Sequence, residues 1–139
     1  MIAWWAGGLL AVGATWFDVR CRTIPHGLVA LGALGAVGAM AAGLVPWSFW
    51  LWAIGLAMLY TLALPAAAFG GGDLKLATVS GLWWGPAAAL MLLGSHLLQF
   101  LYTAVANRRH RRRWLAPLPL PWAPFLAAAW LGCTVIVLH

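Results

Sequence analysis

The sequence predicts an all-α integral membrane protein: a polytopic helical bundle of about six membrane segments with a short fourth segment. Three observations predict it. The 139 residues are 65% hydrophobic and 7% charged, and the mean hydropathy is +0.93, which is too apolar for a soluble domain. Apolar runs recur from one end to the other, separated by short polar or Gly/Pro-rich breaks. Charge is confined to those breaks and, at Lys75, to the start of the fourth run: eight Lys and Arg, and only two acids, Asp18 and Asp73. Residues 1–139 leave no room for a second core and are read as a single membrane domain.

The first run, Ile2 to Phe17, ends at Asp18 and is followed by Arg20 and Arg22. No basic segment precedes it, as a cleavable signal peptide requires. Positive charge after the run predicts an uncleaved helix with its N-terminus outside. The second run, Leu28 to Val45, carries Gly35, Ala39 and Gly43 at four-residue spacing, a small-residue face suited to close intramolecular packing. The third run is Phe49 to Phe69. The fourth, Leu74 to Trp84, is about a dozen residues and rises only about 18 Å. The fifth and sixth are Ala87 to Ala106 and Trp122 to Leu138. A spanning helix needs about 20 apolar residues, with about 17 as the low end.

Gly85-Pro86 decides the topology. One continuous helix from Leu74 to Ala106 would carry Arg108, Arg109, Arg111, Arg112 and Arg113 outside, against the positive-inside rule. A break at Gly85-Pro86 returns that cluster inside, together with the other basic residues and both aspartates. The tryptophans fit this placement. Trp4, Trp5, Trp47, Trp50, Trp52, Trp83 and Trp84 are expected near the outer interface, and Trp16, Trp114 and Trp122 near the inner one, with Trp130 packed inside the last helix.

Several function classes are excluded. The net charge of +6 does not indicate nucleic acid, because the arginine cluster lies between two apolar runs with no aromatic platform interleaved; it reads as a cytoplasmic anchor facing anionic lipid headgroups. Cys21 and Cys133 form no CxxC, and His26, His96, His110 and His139 show no metal-ligand spacing, so neither metal nor cofactor is expected. His96 and Gln99, inside the fifth run, are expected to hydrogen-bond between helices.

What remains is the pair of acids. An acid beside a membrane segment is costly and is a functional candidate by default. A loop, two helices and a second loop separate Asp18 from Asp73, so both return to one face. Two neighbouring carboxylates do not both ionise cheaply; one keeps a proton while the other acts as a base. That is the requirement of aspartic proteolysis. The glycines before Asp73 allow backbone angles closed to other residues and a close approach by a substrate strand.

Gly70-Gly71-Gly72-Asp73-Leu74-Lys75-Leu76 resembles the GxGDxKL motif of the type IV prepilin peptidases, which are membrane aspartic proteases. Asp18, followed by basic residues and Ile24-Pro25, resembles the family's first-aspartate segment, with His26 where the family often has Asn. Pro121-Trp122-Ala123-Pro124-Phe125-Leu126 looks like the Pro-rich start of its last helix. The likeness is nearest to the short peptidases of tight-adherence (Flp) pilus systems. It implies an intramembrane aspartic endopeptidase of the bacterial inner membrane, with catalytic Asp18 and Asp73, and with Gly70, Gly72 and Lys75 in support. The implied partners are membrane lipids and a prepilin or pseudopilin, whose basic leader is cut from an apolar helix at the cytoplasmic interface. No cofactor is implied. The larger members' N-terminal region with paired CxxC motifs is not seen, and N-methyltransferase activity is not expected.

Asp73, placed just before a helix and near Lys75, is expected to be the general base; Asp18, at a helix C-terminus, is expected to hold the proton. Lys75 either anchors the interface by snorkelling or orients Asp73 or substrate. Two other functions use the same sequence features: a proton or cation carrier built on the paired aspartates, and an inactive pilus-assembly factor.

Overall fold

The computed structural model describes residues 2–63, 71–109 and 121–138. The secondary structure of these residues is helical: α1 (Ile2–Cys21), α2 (His26–Ala41), α3 (Phe49–Ala63), α4 (Gly71–Trp84), α5 (Pro86–Arg109) and α6 (Ala123–Leu138). The elements follow the apolar runs in order. Helix α3 is described to Ala63, and the expected continuation to Phe69 lies outside the described residues, as do Gly70, Trp114 and Arg111 to Arg113.

The shortest helix is the centre of the bundle. Helix α4 packs against α1, α2, α3 and α5, and α6 closes the remaining side against α1 and α5. Composition explains this. Beyond Lys75, α4 carries no charge, and a helix that is apolar all round belongs in a core. Leu76, Ala77 and every residue from Val79 to Trp84 are buried. Its 14 residues rise about 21 Å, and burial by its neighbours offsets its short length. Gly81 allows the closest of these contacts, since a Cβ there would lie 2.7 Å from the Ala53 Cα of α3.

The break between α4 and α5 falls at Gly85, as the topology requires. Gly85 has φ +53°, its N–H donates to the Gly81 carbonyl at 2.9 Å, and any side chain would strike the Phe49 ring. Pro86 then begins α5, where its missing N–H costs nothing.

Two packing expectations are corrected. The buried face of α2 is Gly32, Ala36 and Met40; of the expected set, Ala39 packs against the core and Gly35 lies close to the Trp83 ring, while Gly43 lies beyond the helix with φ +72°. Trp83 and Trp84 are buried within the bundle instead of exposed as a lipid-facing belt. Their indole N–H groups donate to the Gly32 carbonyl at 2.9 Å and the Trp4 carbonyl at 3.4 Å. Trp122 is likewise buried. Trp16 stays exposed and stacks under the Arg20 guanidinium at 4.0 Å. Trp130 packs inside, as expected, against Gly8 and edge-on to Trp5.

The outer surface is apolar. Leu9, Leu31, Leu34, Leu51, Leu62, Leu90 and Leu93 all point outward. Among the described residues, α1 and most of α5 are long and apolar enough to cross a membrane, while α2, α3 and α6 are shorter apolar helices.

Candidate active site

Asp18 and Asp73 line one cavity of about 570 Å³. Three structural units build it: the end of α1 with the turn into α2, the first turn of α4, and the start of α6. Helix α1 runs past Asp18 to Cys21 and stops at Arg22, which takes a left-handed conformation with φ 55°. Such a residue ends a helix and turns the chain. Ile24 follows and is buried against Gly72, which ties the α1–α2 turn to the first turn of α4. Pro25 caps α2 through its fixed φ of −60°, without a side-chain bond.

Asp73 lies in the first turn of α4, which begins at Gly71, three residues before the apolar run at Leu74. Gly71 and Gly72 are helical, and neither has positive φ. The expectation that they serve through unusual backbone angles is therefore corrected. A Cβ on Gly71 would meet nothing within 4 Å, so the wall of the cavity is low here. Gly70 lies outside the described residues.

Asp18 is 8% exposed. Its Oδ2 accepts the backbone N–H of Ala123 at 2.9 Å. Ala123 is the first residue of α6, so a carboxylate from one helix caps another that is remote in sequence. This removes the premise for assigning base and acid from helix ends. Asp18 was expected to meet only the carboxyl end of α1; the fold brings the amino end of α6 to it. Both acids now face the amino end of a helix, where N–H groups lack internal partners.

Lys75 lies on the cavity rim. Its Nζ donates to His26 Nδ1 at 3.0 Å, so His26 is an acceptor at Nδ1 and carries its proton at Nε2. The residue that stands in place of the family's Asn therefore makes a bond, and its partner is the motif lysine. Arg22 also lines the cavity, whereas Arg20 is turned outward onto Trp16. No group of three or more metal-ligating side chains occurs among the described residues.

The cavity's third wall is Pro121 and Trp122. Behind it, Trp122 packs against His96 of α5 and Tyr60 of α3, with ring centroids 5.5 and 6.3 Å away. Tyr60 and His96 share a long hydrogen bond of 3.4 Å, which realises the expected link between helices.

The sequence model of the type IV leader peptidase family matches residues 5–108. The chain belongs to this family. Comparison with curated proteins and with solved structures finds no match. The matched span of the leader peptidase holds both aspartates, Lys75, His26, Tyr60 and His96; the α6 wall, with Trp122 and the Ala123 N–H, lies beyond it.

Sequence reasoning brought together Asp18, Asp73 and Lys75, and the fold places all three on one cavity. It missed the roles of Ile24, Trp122, Ala123 and Tyr60. The Pro-flanked string Pro121 to Phe125 was the available signal for the α6 wall. A tyrosine in an otherwise aliphatic stretch was the signal for Tyr60, but its partner, thirty-six positions on, is set by packing.

Proposed function

We propose that this peptidase is an intramembrane aspartic endopeptidase that removes the basic leader from prepilin or pseudopilin precursors. The observation that carries the reading is that the chain's only two acids, delivered by different helices, line the same cavity. One carboxylate takes a proton from water, and the water oxygen attacks the scissile carbonyl carbon. The other carboxyl polarises the carbonyl oxygen. As the C–N bond breaks, a proton passes to the departing nitrogen and the pair is regenerated. No cofactor takes part.

The membrane reading rests on the many outward-facing large apolar side chains, which a soluble monomer has no reason to expose, and on the two helices of spanning length. In this arrangement the six helices lie in the bacterial inner membrane with the N-terminus outside. Arg20, Arg22, Lys75 and Arg108 then gather at the cytoplasmic end, beside the aspartates. A substrate with a basic leader in the cytoplasm and an apolar helix in the lipid presents its junction at that depth. The low wall at Gly71 leaves room for an extended strand beside Asp73. Nucleic acid has no place in this scheme, and methylation is not part of it.

The test is cleavage of a pilin precursor by the purified chain in lipid. Wild type should release the leader, and Asp18→Asn and Asp73→Asn should not, although both remain folded. An uncut precursor with wild type would instead favour an ion carrier or an assembly factor.

A further inference from the structure

A tyrosine–histidine pair inside an apolar bundle needs a reason, because ionisable groups there are costly. Tyr60 is buried on α3, and His96 is half-buried on α5. The proton positions follow from the partners. His96 Nδ1 lies 2.6 Å from the Leu92 carbonyl oxygen, which can only accept, so Nδ1 carries the hydrogen. In the neutral ring Nε2 is then the acceptor, and the Tyr60 hydroxyl, 3.4 Å away, donates to it. The ring is fixed in tautomer and in orientation.

Holding α3 to α5 accounts for the hydrogen bond alone. It does not account for what the two rings support. Both lie against Trp122, with interplanar angles of 57° for Tyr60 and 52° for His96. Trp122 walls the aspartate cavity on its other side. It immediately precedes Ala123, whose N–H reaches Asp18 Oδ2. A backbone donor one residue from a wedged indole moves with that indole.

We infer that Tyr60 and His96 are positioning residues of the aspartate site: they clamp Trp122, and through it set the Ala123 N–H that holds Asp18. This deepens the proposed proteolytic function and rests on it for its kinetic consequences, but its structural core is independent of any activity. The pair fixes where one of the two carboxylates stands relative to the other. Small displacements of a reacting group cost rate much more than binding.

The experiment uses the full chain in lipid with two readouts. The first is hydrogen exchange at the Ala123 amide, compared with amides further along α6 such as Leu131. The second is cleavage of a pilin precursor, with kcat and KM separated. Tyr60→Phe removes one oxygen and keeps the ring; His96→Leu keeps bulk and removes the acceptor; His96→Gln restores an acceptor. Losing one buried hydrogen bond corresponds to about tenfold. Ala123 exchange should quicken by about that factor in Tyr60→Phe and His96→Leu, with Leu131 unchanged. In the same variants kcat should fall by a similar factor at constant KM, and His96→Gln should recover most of both. Wild-type exchange at Ala123 in Tyr60→Phe and His96→Leu would overturn the inference. So would a uniform quickening along α6, which would mean general loosening. Failure of wild type to cut any precursor would refute the proposed function, while the Ala123 readout would still decide this inference.

Discussion

The two ends of the bundle are built on opposite rules. At the tryptophan end, Trp84 packs against Gly7 and the Trp4 ring, and Trp83 against Gly35. Trp4 donates to Thr134 Oγ1 at 2.8 Å, Trp83 to the Gly32 carbonyl and Trp84 to the Trp4 carbonyl. Large aromatic surfaces are buried, and the polar handles of these three are satisfied, whereas the buried Trp130 Nε1 beside Trp5 has no hydrogen-bond partner among the described residues. At the aspartate end the helices part around a cavity of about 570 Å³, and polar groups face one another across it. The first end holds the helices together; the second has what a hydrolytic site needs, including room. The difference teaches that stability and chemistry are separated along the bundle axis, so substitutions at the two ends should fail in different ways.

The largest effect should come from the acids. Asp73→Asn or Asp18→Asn should reduce precursor cleavage by about 10³-fold or more, the range set by losing general acid–base chemistry, with a thermal midpoint close to wild type. Asp18 carries a further signature because it caps α6. Asp18→Ala should lower stability by about 1 kcal/mol beyond Asp18→Asn, the usual worth of a capping group, since the amide keeps an oxygen for the Ala123 N–H. Equal stability of the two variants would show that the cap does not matter to the fold.

A close-packed glycine at the other end should give the reverse pattern. Gly81 sits against the backbone of α3, where a side chain has no room. Gly81→Val should destabilise by about 3 kcal/mol, the upper part of the overpacking range, while the folded fraction still cuts at the wild-type rate. Gly71→Val, placed over open space, should do the opposite: stability unchanged and cleavage reduced, because the wall of the cavity rises. Unfolding in detergent and specific activity per folded molecule separate the two.

How far this division could be read from sequence depends on range. Helix order, the Gly85-Pro86 break and the return of Asp18 and Asp73 to one end of the bundle follow from hydropathy, charge and parity, which are local or nearly so. The roles of Trp83 and Trp84 do not. Tryptophans next to a turn resemble an interface belt, and only the central position of α4, set by its contacts with four other helices, makes them core. The Asp18–Ala123 bond was hidden for the same reason. Nothing near Asp18 in sequence announces that the start of the last helix will arrive there, and from local signals alone Asp18 faces the wrong end of a helix dipole. The glycines before Asp73 show the limit from the other side: their presence and the room for a close approach were legible, while the ordinary helical conformation of Gly71 and Gly72 required the backbone.

A moderate effect at the tryptophan end tests whether satisfied indoles matter there. Trp83→Phe keeps most of the buried ring and removes the donor to the Gly32 carbonyl. It should cost about 1 kcal/mol, the net worth of such a bond, with cleavage per folded molecule unchanged. A loss of activity without a loss of stability would erase the distinction between the two ends.

The smallest effect, and the finest cut, concerns the rim of the aspartate cavity. His26 accepts from Lys75 through Nδ1, and both side chains are exposed. In His26→Asn the side-chain oxygen can take over as acceptor, so Lys75 keeps a partner in nearly the same place, and cleavage should stay within about threefold of wild type. His26→Leu leaves the ammonium without that partner and free to move. Lys75 is two residues from Asp73 on the same helical turn, so its charge is then placed differently over the site, and the rate should fall by several-fold, about the worth of one exposed charged contact. Neither variant should move the thermal midpoint, because an exposed bond adds little to folding. Equal rates in His26→Asn and His26→Leu would mean that the lysine needs no acceptor here, and the rim would then belong with the passive surface instead of the reactive end.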